Sequence, residues 1–365
     1  MRTIGYTETA NAVYPSTWYW ADTSFLAKTV SVAADRYKLL TPNAIQIDIG
    51  GSSYTLASQA TLDLSLEATW DTVSGTNYTT AANRIGKDFY IFACHNTDTS
   101  PLLKVSANAT YPTGTNPNTG LAYSESNTRK VGGFHCLCVA VGTISGHSLT
   151  GYLAGDILPL SVWDLKFRAS PCGNEGMVYD PKDDDWKDIY PASGSGATTA
   201  SVYYTSTAAT VNRNWMDFVD DGLAVGKHLL RDAGFQSGAA GSNEETQIST
   251  SAFPAGTGGY SDTAGRRMIS NIGMESCCGH IWQWLDEQST RWDFTTAWDW
   301  YNLPGAKGFL YNGAGTAGTG DVKLVAGGGW DGGSVCGSRS RAANSYRWRA
   351  DSYIGGRFSA RTLRR

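Results

Sequence analysis

The side chains best suited to chemistry in this chain are its seven cysteines and five histidines. Cys94, Cys136, Cys138, Cys172, Cys277, Cys278 and Cys336 contain no Cys-x-x-Cys pair and no zinc spacing. Cys136 and Cys138 would share one face of a strand, and a vicinal pair such as Cys277-Cys278 seldom bridges. Free, mostly buried thiols are therefore expected. The histidines, His95, His135, His147, His228 and His280, stand singly. A lone histidine is more often a packed or surface residue than a ligand. The run Asp183-Asp184-Asp185 suggests a cation loop but lacks EF-hand ligand spacing, so a solvated turn is expected. No nucleophile elbow, P-loop or dinucleotide fingerprint occurs in a supporting context. Catalytic residues, metal ligands and a cofactor are all expected to be absent.

What remains is the chemistry of binding. From Gly327 to Arg361 the chain reads GGGWDGGSVCGSRSRAANSYRWRADSYIGGRFSAR. Three blocks, Gly327-Gly328-Gly329-Trp330, Gly337-Ser338-Arg339 and Ile354-Gly355-Gly356-Arg357, are separated by small and polar residues. No helical period runs through them, and strand alternation is only patchy. The segment looks like a framework of Gly, Trp and Arg carrying exchangeable surface side chains. Arg339, Arg341, Arg347, Arg349, Arg357, Arg361, Arg364 and Arg365 face only Asp331 and Asp351 here. They either form a binding face or pair with internal carboxylates. Arg347 and Arg349 suit carboxylate-bearing or phosphate-bearing surfaces. Tyr346 and Tyr353 offer contact area at low entropic cost.

These residues must be positioned by the rest of a 365-residue chain, long enough for two domains. With 42 glycines, 12% aromatic and 17% charged residues, the composition suits turn-rich β structure. A net charge of -4 gives no reason to expect a nucleic-acid partner. Met1 to Ala10 shows no apolar signal core, and no run reaches the length of a membrane span. The protein is expected to be made in a cytoplasm, without secretory export or membrane insertion.

Residues 1 to about 158 read as β. Ala44 to Ile49 alternates, Gly50-Gly51 turns, and Ser53 to Ala57 returns as a hairpin. Phe89 to Ala93 is a continuous apolar run, expected to be buried on both faces, and Gly132 to Val141 is read as another strand. Thr113 to Gly120 is a loop. After a junction at Gly155 to Pro159, Ser161 to Arg168 and Trp186 to Tyr190 read as strands with aromatic anchors. Asn212 to Leu223 reads as a helix, with Trp215, Phe218, Val219 and Leu223 on one face and Asn212 or Asn214 as its cap. Trp282 and Trp284 share a strand face, and Gly238 to Gly259 is a loop.

The order Trp163 to Arg168, Gly279-His280-Ile281-Trp282-Gln283-Trp284, Gly-Gly-x-Trp330, Gly-Ser-Arg339 and Gly-Gly-Arg357 resembles a C-type lectin-like family. Formylglycine-generating enzymes and the variable proteins of diversity-generating retroelements, phage tropism determinants among them, share that fold. The stretch from Tyr90 through Arg129 to His135 is similar to the β domain that precedes the lectin-like domain in tropism determinants. No match to their β-prism shaft is seen, so the chain is expected to begin where a shaft ends. The resemblance implies an α+β fold: a β-sandwich-like domain over 1–158, then a lectin-like ligand-binding domain over 159–365. Trp163, Phe167, Trp282, Trp284 and Trp330 are expected as core anchors.

The resemblance also implies a function. Formylglycine-generating enzymes hold copper with two cysteines five residues apart. Here Cys336 takes the first place and Arg341 the second, and arginine supplies no thiolate. Related iron enzymes need an HxxxHxE cluster, which is missing. A metal-dependent oxidase is therefore the weaker alternative, and a fixed lectin-like adhesin the stronger one. In the variable proteins, diversification of adenines reaches residues such as Asn, Ser, Asp, Gly, Ala, Tyr, Arg and Val, but not Lys, Glu, Gln, Met or Trp. Residues 331 to 353 contain none of these five except Trp348, which is assigned to the framework. The family's variable places then fall on Gly329, Asp331, Gly333, Val335, Ala342, Asn344, Ser345, Arg349, Asp351, Tyr353 and Ile354. Alternation at 329, 331, 333 and 335 would put four of them on one face of an extended segment. The implied protein is a receptor-binding component of a phage or prophage tail, homotrimeric, located in the virion. Its implied partners are a host cell-surface protein or glycan and other tail proteins. No cofactor is implied beyond the structural calcium the fold can carry.

Overall fold

The computed structural model describes residues 26, 35–41, 43–58, 60–71, 76–97, 100–206, 209–250, 253, 256–290, 298–302, 308–312 and 321–364. Residues 1–25 and 27–34, at the start of the expected β-sandwich-like domain, therefore lie outside the described residues, as does Arg365. Among the described residues the fold is mainly β, with two α-helices. The expected α+β balance is corrected in that sense: sheet carries the architecture and the helices brace it.

The early β readings hold where the sequence signal was local. Ile45–Ile49 and Ser52–Leu56 pair as an antiparallel hairpin. Gly50 and Gly51 turn it at φ 58° and 86°, a region that favours glycine. Asp88–Cys94 is buried on both faces after its first residue, because Phe89, Ile91 and Ala93 join one apolar cluster while Tyr90, Phe92 and Cys94 join another on the opposite face. A four-stranded sheet runs Leu102–Ser106, Asp88–Cys94, Thr128–His135, Trp163–Asp164. The strand expected to reach Val141 ends at His135. Cys136 makes only a bridge to Ile157, and the chain then turns away.

The last strand of this sheet carries the chain across to the second half. Trp163 and Asp164 pair with Gly133 and Gly132. A Cβ on Gly133 would lie 2.6 Å from the Phe89 carbonyl oxygen and 2.7 Å from Trp163 Nε1, so only glycine allows this approach. Asp164 Oδ1 then accepts the backbone N–H groups of Lys166 and Phe167 at 2.8 and 2.9 Å. That turns the chain into Phe167–Ser170, which pairs instead with the C-terminal strand Phe358–Arg364.

Two sheets build the second half. One holds Met177–Asp180, Asp185–Asp188, Phe358–Arg364 and His228–Leu229 in sequence, with Phe167–Ser170 also on Phe358–Arg364. The other runs Asp299–Asn302, Phe309–Asn312, Gly337–Ser345, Asp321–Gly327, Trp282–Thr290, Ile354–Gly355. Trp186, Tyr190, Phe235, Met274 and Leu285 belong to one apolar core, while Trp284, Phe218, Phe358, Ala342 and Ile354 form a second.

The first helix is Trp215–Ala224, capped by Asn214 in a reciprocal box with Asp217. Asn212 sits one turn outside, at φ 58°. The buried stripe is Phe218, Asp221 and Gly222. Leu223, expected on that face, is 66% exposed. Asp221 takes the inward place because Arg213 and the Gly196 N–H satisfy its carboxylate. Of the expected core anchors, Phe167 and Trp284 are buried, whereas Trp163, Trp282 and Trp330 are only half-buried.

Candidate functional site

The C-terminal segment is a framework held from behind. Gly327 and Gly328 turn at φ 93° and 92°; a Cβ on Gly327 would lie 2.2 Å from the Cys277 carbonyl oxygen. Gly355 and Gly356 have another role. They lie flat against the core, where a Cβ would meet Ile281 and Phe218 at 2.5 Å. Ser338 is clasped by Glu244, whose carboxylate accepts its N–H at 3.0 Å and its hydroxyl at 2.6 Å. Arg357 is fully buried, donating to Gln283 Oε1 and to the carbonyls of Asp188, Ile189 and Glu275. A buried guanidinium is tolerable only when its fork is so completely satisfied.

The eleven candidate positions separate into groups. Asp331 is exposed, and Gly333, Val335, Asn344, Arg349, Asp351 and Tyr353 are half-buried. Gly329, Ala342, Ser345 and Ile354 are buried. The extended segment expected over 329 to 335 is corrected: the chain turns after Gly329 and forms a 3-10 helix over Gly333–Val335. A hydrogen bond from the Gly333 N–H to Gln247 Oε1 at 2.6 Å holds that turn.

Five of the positions meet in one loop. Arg349 donates from Nε and Nη2 to Asp351 Oδ2 at 3.1 and 2.6 Å. Asp351 Oδ1 accepts the Tyr353 N–H at 2.9 Å, and Ser345 Oγ contacts both Asn344 Oδ1 and Arg349 Nη1. The start of the first helix and the residues just before it pin the loop at two points. Trp215 N donates to Arg347 O at 2.9 Å, and Asn212 N to Asp351 O at 3.0 Å. The Tyr353 ring stacks on Trp330, centroids 5.4 Å apart at 12°.

The arginines divide as well. Arg341 is buried against Asp232 of the second helix (Asp232–Gly238), Arg349 pairs with Asp351, and Arg364 pairs with Asp184. Internal pairing therefore accounts for much of the basic excess, and Arg347 is left exposed at the tip of the loop. Trp348, assigned above to the framework, is corrected: it is 65% exposed, stacked on Tyr346 at 5.5 Å and 5°. Nothing in the spacing showed on which side of the loop Trp348 would leave.

Sequence reasoning also missed a hairpin, Asp299–Asn302 with Phe309–Asn312, that extends the sheet beside Gly337–Ser345. Its rings continue from Trp282: Trp300 stacks on Trp282 at 6.2 Å, and Tyr311 lies 4.8 Å from Trp300. Tyr311 pairs with Ala342 in the sheet. The aromatic spacing in DFTTAWDWYNL held the clue.

Nucleophilic chemistry finds no support at Cys336. Burial, with Asp331 nearby, pushes its thiol up to about 12, and Sγ points to the Gly329 carbonyl at 3.4 Å. Burial likewise pushes Cys94 to about 12 and Cys277 to about 11. All seven cysteines are free, and only Cys172 is not fully buried. Among the described residues no group of three His, Cys, Asp or Glu side chains could hold a metal ion. No helix among them is long and apolar enough to cross a membrane.

Known proteins resemble this arrangement. The family described as Mtd second domain matches residues 46–164. The chain is 27% identical over 293 residues to the tail fiber receptor-binding protein of Bordetella phage BPP-1, spanning 73% of this chain and 68% of that one. Its fold is similar to the solved Major Tropism Determinant U1 variant, with a TM-score of 0.66 at 20% identity over 98% of this chain and 89% of that one. The P3c variant gives 0.64 at 21% identity, over 90% and 82%.

Proposed function

We propose that this chain, a relative of the phage tropism determinants with a C-type lectin-like fold, is the receptor-binding protein of a phage or prophage tail. It is a binding protein rather than an enzyme, placed in the virion tail. The architecture is read as a β-sandwich-like domain to about residue 158 and a lectin-like domain over 159–365. Residues 329–354 form the ligand face. Asp331, Gly333, Val335, Asn344, Arg349, Asp351 and Tyr353 are its accessible members, and Gly329, Ala342, Ser345 and Ile354 back them. The observation that carries this reading is the loop of Asn344 to Tyr353. Small polar and aromatic side chains stand there on a backbone held by the N–H groups of Trp215 and Asn212. A rigid backbone under variable side chains is what a diversified recognition surface requires.

A homotrimer fits the same function, since three weak sites on one body gain avidity without new contacts. The partners are a host surface protein or glycan and neighbouring tail proteins. Retroelement diversification of the 3′ coding end is part of the proposal. A near-copy of that end, differing mainly at adenines and lying beside a reverse-transcriptase frame, is its genomic signature. Without such a repeat, a fixed lectin-like adhesin is the better account. The direct test replaces Asp331, Asn344, Arg349 and Tyr353 together by alanine in the full chain. Adsorption to a host strain should fall below detection while the melting temperature stays near that of the parent. Unchanged adsorption removes 329–354 from the function.

A further inference from the structure

The polar side chains of the loop Asn344 to Tyr353 are largely turned upon one another. Arg349 holds Asp351, Asp351 holds the Tyr353 backbone, and Ser345 bonds Asn344. What projects beyond them is the sequence Tyr346-Arg347-Trp348. Trp348 is the most exposed tryptophan among the described residues, at 65%. Its ring lies nearly parallel to Tyr346, 5° apart, so the two form one stiff apolar blade. Arg347 beside it is exposed and makes no ion pair or side-chain hydrogen bond among the described residues. The backbone does not yield: Trp215 N holds Arg347 O at 2.9 Å, and Arg349 N holds Tyr346 O at 3.0 Å.

Resting on the receptor-binding reading above, we infer that Tyr346-Arg347-Trp348 is a fixed anchor, distinct from the exchangeable positions. It docks on an acidic protein surface that offers an apolar slot for Trp348. Three observations converge on a protein partner. Trp, Tyr and Arg are the residue types that dominate protein–protein hot spots. The unpaired guanidinium calls for a carboxylate across the interface. A neutral sugar would need side-chain acceptors as well as donors around the ring, and the loop's acceptors Asn344 Oδ1 and Asp351 Oδ2 are already engaged. The exchangeable residues then decide which surface is accepted, and the blade adds affinity to whichever surface they accept.

The test uses the full chain and cells of a host strain to which the parent protein adsorbs. Trp348→Ala and Arg347→Glu are compared with the quadruple alanine variant described above. Both tip residues are exposed, so melting temperatures should match the parent. Each tip variant is expected to lose about tenfold or more in apparent affinity. The parent's affinity should weaken with added salt, and Arg347→Glu should flatten that dependence. Protease treatment of the cells should abolish adsorption, and periodate oxidation should leave it intact. Tip variants that adsorb like the parent, while the quadruple variant fails, overturn the anchor but leave the receptor reading standing. If the quadruple variant also adsorbs like the parent, the receptor reading fails with it. Loss of adsorption on periodate, with retention after protease, overturns the protein partner in favour of a glycan.

Discussion

Arg357 donates its Nε–H to Gln283 Oε1 at 2.8 Å, and through this contact the two sheets of the C-terminal half are tied together. Gln283 lies in the strand Trp282–Thr290 of one sheet, while Nη1 donates to the carbonyls of Asp188 and Ile189 at the end of the strand Asp185–Asp188 in the other. Gln283 in turn donates to the carbonyls of Ser276 and Cys277 at 3.2 Å. Replacing Arg357 by lysine keeps the charge but not the fork, and leaves buried carbonyls unpaired. The expected cost is about 3–5 kcal/mol, read by chemical denaturation. A loss under about 1 kcal/mol would mean that the framework does not depend on this side chain.

Glycines along the segment should differ sharply in what they tolerate. Gly327 adopts φ 93° with a carbonyl oxygen 2.2 Å from where a Cβ would stand. Gly333, at φ 54°, has only Gln247 Oε1 at 3.8 Å. Gly333→Asn should therefore be nearly neutral, since asparagine accepts this backbone region. Gly327→Ala should prevent folding or lower the melting temperature severely. Equal melting temperatures for the two variants would show that exchangeable and framework glycines are not physically distinct.

Thiol reactivity checks the reading of Cys336. With burial holding its proton up to about 12, the thiolate is scarce at pH 8. The native protein should react with a disulfide reagent over hours, with the half-buried Cys172 modified first. In denaturant all seven cysteines should react at once. A fast native reaction lost in Cys336→Ala would revive a functional thiol at this place.

Legibility followed the range of the interactions. Asn214 as a helix cap and Gly50-Gly51 as a hairpin turn were visible because their partners lie within a few residues. That Arg357 would serve as framework was legible. Its partners were not, because Gln283 and Asp188 lie 74 and 169 residues away in sequence. Alternation suggested an extended run from Gly329 to Val335, but the Gly332-Gly333 pair and a distant Gln247 bend it into a 3-10 turn. Leu223 matched the helical period and yet faces solvent, since Arg213 allows Asp221 to take the inward place. Trp348 was misplaced because composition tells that a tryptophan is present, not which side of the loop it leaves.

Two histidines should make the protein acid-sensitive. Burial holds His280 down to about 3 and His147 to about 4, both below the ordinary 6.5. The folded protein therefore keeps both neutral in a range where the unfolded chain takes up protons. Stability rises with pH wherever the unfolded state binds more protons. The contribution is thus fully present above pH 6.5, and it is lost as pH falls from 6.5 towards 4 and, for His280, towards 3. The expected slope is about 1.4 kcal/mol per pH unit for each histidine. Buried carboxylates act the other way. Asp71 is raised above 3.8 by burial, so as pH rises past 3.8 it holds its proton longer than the unfolded chain does. The histidine part is isolated by comparing the parent with His280→Asn and His147→Asn across pH 4 to 7. Each variant should lose some stability at pH 7 and show a flatter decline below 6.5. Parallel declines in parent and variants would show that these histidines are not held neutral by burial.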